Sequence, residues 1–86
     1  NNTNSLVKYP DWRHGDVWIR KADGSDGGRM ESGYEVNATA EVVAVPSAGY
    51  RVKRWYNTTD DLSISNENTV IMDVNKVAMD EFELIV

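Results

Sequence analysis

Cysteine is absent from this 86-residue sequence, so the chain forms no disulfide and no thiolate metal site. No apolar run approaches the length of a membrane span, and no signal-peptide pattern is present. The only histidine, His14, would have to serve any histidine-based triad, and no Gly-x-Ser-x-Gly motif lies near it. We therefore predict that the protein is not an enzyme, needs no cofactor and does not insert into a membrane.

Positive charge is also scarce, since nine Lys and Arg residues face fourteen Asp and Glu residues and the net charge is −5. Phosphate binding requires a basic surface, so we expect no nucleic-acid partner; a protein, a glycan or a metal ion is left open. The 41% apolar content suffices for one small domain. Because the chain begins with Asn1 rather than Met, we expect a piece of a longer protein. Residues 1–14 are predicted as an N-terminal linker or edge segment and residues 15–86 as the domain.

The stretch Ala40–Trp55 organises the predicted fold. A run of valines is closed by Pro46, which cannot donate a ladder hydrogen bond. Ser47–Gly49 supplies a turn, in which the glycine can adopt positive φ, and Tyr50–Trp55 resumes β-type composition. This pattern predicts a β-hairpin around which the other strands pair.

Further strands follow from short β-branched or aromatic runs bounded by turn residues. They are expected at Leu6–Tyr9 (a short edge strand), Asp16–Arg20, Met30–Asn37, Thr69–Met72 and Val77–Phe82, the last two joined by a turn at Asp73–Lys76. No segment has helical apolar spacing over more than two turns. The fold class is therefore mostly all-β: a small single domain of about five to seven short antiparallel or mixed strands, β-grasp-like or a small sandwich, with at most one short helix inside residues 56–65.

The aromatic residues Tyr50 and Trp55 are expected to anchor the core. Tyr50, Val52 and Arg54 share a strand parity that Trp55 does not. A β-bulge near Lys53–Arg54 would allow both Val52 and Trp55 to face inward.

The segments from Gly15 to Glu83 follow a specific order. They are Gly15-Asp-Val17, Tyr34, Val42-Val-Ala-Val-Pro46, Gly49-Tyr50-Arg-Val52-Lys-Arg-Trp55, Thr69-Val70-Ile-Met72-Asp73, and Asn75-Lys76 through Phe82-Glu83. This order resembles the divergent internalin-B-type repeat of bacterial surface and secreted proteins. The resemblance implies a small, mostly β, commonly tandem and usually non-enzymatic module that is secreted or displayed on the cell surface. Asn37 stands where the family usually has glycine, and asparagine tolerates left-handed backbone almost as well.

Strand alternation predicts a second apolar face on this domain. With Val17 and Ile19 inside, Trp18 lies outside, and the same argument places Asp80 on the core side. The predicted outer apolar set is Trp18, Val43, Val45, Val77 and Met79. A monomer should not expose such a patch, so either Leu6–Trp12 or another chain covers it. The leading hypothesis is therefore a non-catalytic module for spacing, adhesion or assembly, whose partner is a neighbouring repeat or a second copy.

The exposed aromatics support an alternative hypothesis. Trp12, Trp18 and Tyr56 could stack on pyranose rings, and Asp11, Arg13 and His14 could form a polar rim. The domain would then be a carbohydrate-binding module appended to a secreted polysaccharide-active enzyme. The competing interpretation is that Trp18 packs on the N-terminal segment or a neighbour and Trp12 fills a gap.

Two acidic loops are weak candidates for calcium binding. Their aspartates are Asp23, Asp26, Asp60 and Asp61, the last two followed by Glu67. Their spacing misses the alternating ligand pattern of an EF-hand loop, and Asp and Gly are common in ordinary turns. No metal site is therefore predicted, and a calcium-stabilised adhesin module is the third alternative.

Overall fold

The computed structural model describes residues 3–21 and 23–86. It contains seven strands and no helix among the described residues, which confirms the predicted all-β class. The strands are β1 (Thr3–Lys8), β2 (Gly15–Arg20), β3 (Met30–Glu35), β4 (Ala38–Pro46), β5 (Tyr50–Tyr56), β6 (Glu67–Met72) and β7 (Lys76–Leu84). Within the described ranges no helix is long and apolar enough to cross a membrane.

The strands alternate strictly between two sheets. The odd-numbered strands form a four-stranded sheet in the order β3-β1-β7-β5, and the even-numbered strands form a three-stranded sheet in the order β2-β4-β6. β1 and β7 are parallel, whereas the other paired strands are antiparallel. Each connection therefore crosses from one sheet to the other, and the domain is a sandwich rather than a β-grasp.

The predicted hairpin over Ala40–Trp55 is wrong, although both of its strands exist. β4 pairs with β2 and β6, while β5 pairs with β7 in the other sheet. The turn itself forms as expected, with the Tyr50 N–H donating to the Ser47 carbonyl at 3.0 Å and Gly49 at a φ of +85°. Because β2 and β6 occupy both edges of β4, β5 has no free edge of β4 to pair with. The strands on either side of Asp73–Lys76 likewise lie in different sheets.

The predicted edge strand at Leu6–Tyr9 is also corrected. β1 ends at Lys8 and lies between β3 and β7, so it is an interior strand. Leu6 is fully buried, and this burial stabilises the interior position. A short apolar run does not indicate how many neighbouring strands its strand pairs with.

The domain boundary at residue 14 stays a prediction.

The core lies between the two sheets and includes both predicted inward positions of β5. The pairing of β5 with β7 shifts register between Val52 and Arg54, which confirms the predicted bulge. As a result, Val52 and Trp55 are both buried, and the Trp55 indole N–H donates to the Ser65 carbonyl at 3.1 Å. Buried side chains from the two sheets complete the core: Leu6, Val17, Ile19, Ala40, Val42, Ala44, Val70, Met72, Ala78 and Phe82.

Asn37 connects β3 to β4 in a left-handed conformation. Its φ is +68°, as the comparison with the family's glycine predicted. Its N–H donates to the Met72 carbonyl at 3.0 Å, and this hydrogen bond ties the turn to the end of β6. Tyr34, one of the residues that carry the family resemblance, is half-buried and packs against the core.

Candidate functional site

The five predicted outer residues are divided between the two sheets. Trp18, Val43 and Val45 belong to β2 and β4, whereas Val77 and Met79 belong to β7. None of the five belongs to the buried core, but β7 lies in the four-stranded sheet and the other two strands in the three-stranded sheet. The structure therefore contains two separate outer patches rather than one continuous face.

The outer patch of the three-stranded sheet, called the Trp18 face here, consists of Trp18, Val43 and Val45, and Ile71 lies farther along the same side of the sheet, opposite Thr39. Trp18 lies directly opposite Val43 across the β2–β4 pair, and it remains 44% exposed. Ile71 was missed by the sequence reasoning. Since Val70 and Met72 are inward, the alternation rule that placed Trp18 outside also places Ile71 outside.

A depression of about 430 Å³ lies beside the Trp18 face. Arg20, Glu41 and Glu67 contribute to it from the three strands, and the loop between β5 and β6 closes it through Asp60 and Ser63, among other residues. The Arg20 guanidinium lies 3.8 Å from a Glu41 carboxylate oxygen. The face is thus bordered by charges of both signs.

The loop between β5 and β6 also carries two exposed apolar side chains, Leu62 and Ile64. They are 79% and 74% exposed. Isolated aliphatic residues in a polar segment carry no periodic signal, so the sequence does not predict this exposed pair. They extend the apolar surface available on the loop next to the depression.

The second outer patch lies on the four-stranded sheet, where Val77 is the parallel neighbour of Val7 in β1. The N-terminal segment therefore does not cover the Trp18 face, since Leu6–Lys8 belongs to the opposite sheet. Val77 stays exposed beside it. Leu6–Trp12 therefore leaves the Trp18 face uncovered, whereas Met79 of the predicted set lines a groove together with Tyr9 and Trp12.

Two of the three predicted glycan-platform residues share one groove. Trp12 and Tyr56 line a shallow groove of about 590 Å³ together with Tyr9 and Met79, and we call this the aromatic groove. Tyr9 contacts Trp12 edge-on, with 5.2 Å between the ring centroids. Trp18 lies on the other sheet and does not take part.

The predicted polar rim is brought together only in part. Asp11 and Arg13 line the aromatic groove, whereas His14 stacks on Tyr50 with 4.3 Å between ring centroids. Asp11 accepts from Arg13 Nε at 3.3 Å and lies 2.8 Å from His14 Nδ1. The hydrogen bond with His14, followed by that with Arg13, holds the pKa of Asp11 below its usual value despite desolvation.

Two guanidinium groups lie against the aromatic rings of the groove. The Arg29 Cζ is 5.2 Å from the centroid of the Trp12 ring, and the Arg54 Cζ is 4.2 Å from that of Tyr56. The Tyr56 hydroxyl donates to Glu81, and this hydrogen bond raises the pKa of Tyr56. Contacts of this kind hold the rings in place while leaving guanidinium N–H groups available.

Asp80 lies beneath the groove and is buried, as strand alternation predicted. It is 5% exposed, and one carboxyl oxygen has no hydrogen-bond partner among the described residues. The other accepts from the Asp11 N–H at 3.4 Å. Desolvation, together with the charges of Asp11 and Asp16, raises the pKa of Asp80 to about 7.

The aspartates of the weak calcium candidates organise turns. Asp23 accepts from the N–H and hydroxyl of Ser25 at 2.9 and 2.6 Å. Asp61 accepts from the N–H and hydroxyl of Thr58 at the same two distances. Desolvation works against ionisation of Asp61, but these hydrogen bonds outweigh it and lower its pKa. Across the described part of the chain, no three acidic or histidine side chains are placed to hold a metal ion.

The alternating strands define a small β-sandwich of two sheets. Residues 19–86 match the family of the divergent InlB B-repeat domain, and the chain belongs to this family. Its repeats are generally non-catalytic and are associated with bacterial surface or secreted proteins. Comparisons with curated proteins and with solved structures find no significant match.

Proposed function

We propose that this domain is a non-catalytic docking module that contacts another domain of its own kind through the Trp18 face. The observation that carries the proposal is Trp18 itself, a large apolar side chain held 44% exposed in a regular sheet beside Val43. Burying such a side chain at an interface contributes roughly 1.5–3 kcal/mol, and tryptophan is enriched among the residues that dominate binding energy.

The border of the Trp18 face favours a second copy as the partner. Arg20 on β2 and Glu67 on β6 lie at opposite margins of the three-stranded sheet. In a two-fold arrangement the same patch contacts itself, so a border with both signs can bring opposite charges together. The apolar centre then supplies the affinity between the two copies, and the charged border fixes their relative orientation.

Sedimentation velocity at increasing protein concentration tests this proposal. We expect concentration-dependent association of the wild type and its loss in Trp18→Lys. Val77→Lys is the matched control, because it introduces the same charge on the opposite sheet and should leave association unchanged. Urea unfolding of each variant shows that the fold is kept. Identical sedimentation of wild type and Trp18→Lys across the range would contradict the proposal.

A second function, glycan binding, is favoured by the aromatic groove. Trp12 and Tyr56 lie on different elements yet line the same groove, and Asp11 and Arg13 contribute polar groups there. A concave site that combines apolar rings with a few polar groups is typical of small-ligand recognition.

Affinity electrophoresis through gels containing single polysaccharides tests glycan binding. Retardation of the wild type but not of Trp12→Ala is expected, and Trp18→Ala on the other sheet should be retarded like wild type. No retardation of the wild type in any gel would eliminate glycan binding, and equal retardation of wild type and Trp12→Ala would contradict binding in the groove.

A further inference from the structure

The first and last strands of this domain are neighbours in one sheet. β1 and β7 pair in parallel, with Leu6 level with Lys76 and Lys8 level with Ala78. Just past the end of β1, the Tyr9 N–H donates to the Ala78 carbonyl at 2.8 Å, and this hydrogen bond extends the pairing. Two strands from opposite ends of the sequence are therefore tied directly to each other by backbone hydrogen bonds.

The parallel pairing places the start of β1 and the end of β7 at opposite ends of the sheet. Thr3 begins β1 three residues before Leu6, whereas Leu84 ends β7 eight residues after Lys76. At ~3.3 Å per residue these two positions lie roughly 35 Å apart along the strands, while adjacent strands are only ~4.8 Å apart. The line from Thr3 to Leu84 therefore runs nearly parallel to both strands. The described structure is also elongated, with a long axis of 48 Å.

Tension between Thr3 and Leu84 loads the β1–β7 pair in shear. β1 is pulled towards its own start and β7 towards its own end, so their hydrogen bonds are stretched together. When two paired strands are instead pulled apart from one end, the bonds break one after another and each break needs less force. Forced unfolding is governed by the rate at which the unfolding barrier is crossed. A barrier that requires several bonds to break at once is crossed slowly.

The other neighbours of these two strands strengthen the arrangement. β1 lies between β3 and β7, and β7 lies between β1 and β5, so both strands are interior. The Ser5 N–H donates to the Asn75 side chain at 2.8 Å, which joins β1 to the turn before β7. At the other end of the sheet, the Ile85 N–H donates to the Gly49 carbonyl at 2.8 Å. Neither strand can leave the sheet without breaking hydrogen bonds along both of its edges.

We propose that this domain bears mechanical tension, and that the parallel β1–β7 pair is the mechanical clamp that resists unfolding when the chain is pulled lengthwise. This function goes beyond the docking proposed above and does not depend on it, because the Trp18 face lies on the other sheet. Spacing is one of the roles predicted from the sequence, and a spacer that unfolds only at high force keeps its length under load.

Pulling single molecules with optical tweezers in two directions tests the proposal. The sequence contains no cysteine, so an introduced pair of cysteines defines where the handles attach. Thr3→Cys with Leu84→Cys gives the lengthwise direction, which loads β1 and β7 in shear. Thr3→Cys with Val74→Cys gives the crosswise direction, which pulls the starts of the two strands apart. All three positions are exposed, so these substitutions should leave the fold intact.

The two directions can be compared event by event. Complete unfolding releases roughly 250 Å of chain in either direction, so the same event is scored in both. At one pulling rate we expect the mean unfolding force to be at least about twofold higher lengthwise than crosswise. An equal or lower force in the lengthwise direction would overturn the proposal.

Variants assign the resistance to the β1–β7 pair. Asn75→Ala removes the acceptor of the Ser5 N–H, and Tyr9→Pro removes the N–H that donates to Ala78. Each should raise the lengthwise unfolding rate at a given force about fivefold, as expected for the loss of one hydrogen bond. Asn37→Val, in the turn between β3 and β4, is the control, because it should lower stability in urea without touching the pair. If all three variants raised the rate in proportion to their loss of stability in urea, the clamp assignment would be overturned.

Discussion

The stability of this domain should fall as the pH rises from about 5 to about 8, because of Asp80. Its carboxyl is buried, one oxygen has no hydrogen-bond partner among the described residues, and the other is 3.4 Å from the Asp11 N–H. Desolvation and the charges of Asp11 and Asp16 raise its pKa from 3.8 to about 7. Lys8, the nearby buried cation, places its amine 3.0 Å from Asp16 instead.

The sign of the effect follows from where the proton is held. The folded protein keeps Asp80 protonated between about pH 4 and pH 7, where the unfolded chain has already lost this proton, so stability falls across that range. A shift from 3.8 to about 7 corresponds to about 4 kcal/mol. Asp80 borders the groove, and water reaching it reduces this value, so we expect a loss of about 2 kcal/mol between pH 5 and pH 8. Carboxyls with lowered pKa values, such as Asp11, change their contribution to the free energy of unfolding only at a pH below this range.

Urea unfolding followed by tryptophan fluorescence at several pH values measures this effect. Asp80→Asn keeps the shape of the side chain without the charge, so it should remove the decline and exceed wild-type stability by about 1–2 kcal/mol at pH 8. Histidine side chains in general change charge in the same range, and a His14→Gln control should retain the decline. Wild-type stability that is constant or rises from pH 5 to pH 8 would refute the reasoning, as would an undiminished decline in Asp80→Asn.

Four further changes test the packing and the loops. Trp55→Phe should lose about 1–3 kcal/mol in urea unfolding, since it leaves the Ser65 carbonyl without its indole donor; a loss below about 0.5 kcal/mol would show that this hydrogen bond is unimportant. Gly15→Ala should lose about 1–3 kcal/mol, because its Cβ would lie 2.6 Å from the Phe82 ring, and unchanged stability would mean that the ring moves freely. Asn37→Val should lose about 1–2 kcal/mol at its φ of +68° whereas Asn37→Gly should not, and equal losses would argue against backbone strain. A calcium chelator should leave the melting temperature unchanged, and a lowered value would revive the calcium-stabilised alternative.

Much of the fold could be predicted from short-range patterns. Strand positions follow from β-branched and aromatic runs, and the bulge follows from the conflict in parity between Val52 and Trp55. Strand pairing could not be predicted in this way. A tight turn such as Ser47–Gly49 can connect two strands that pair in one sheet, but it can also connect two strands that belong to different sheets. The choice depends on which edges are already occupied, here both edges of β4 by β2 and β6.

The candidate sites were predictable one residue at a time but not as groups. Alternation correctly placed Trp18 and Val77 outside the core, yet it could not assign them to different sheets. The shared groove of Trp12 and Tyr56 joins a loop before β2 to the end of β5, and the cations Arg29 and Arg54 reach it from elsewhere in the chain. No pattern of neighbouring residues in the sequence predicts that these side chains lie close together.

The sequence by itself determined the all-β class, the inward and outward assignment of side chains along β2, β4 and β7, and the family, because these properties depend on neighbouring residues and on the period of a strand. Only the tertiary structure decided which strands pair, that β1 is interior, and which outer residues form the Trp18 face or the aromatic groove. Those features depend on contacts between residues far apart in the chain, where the competition for sheet edges selects one arrangement from several that the same strands permit.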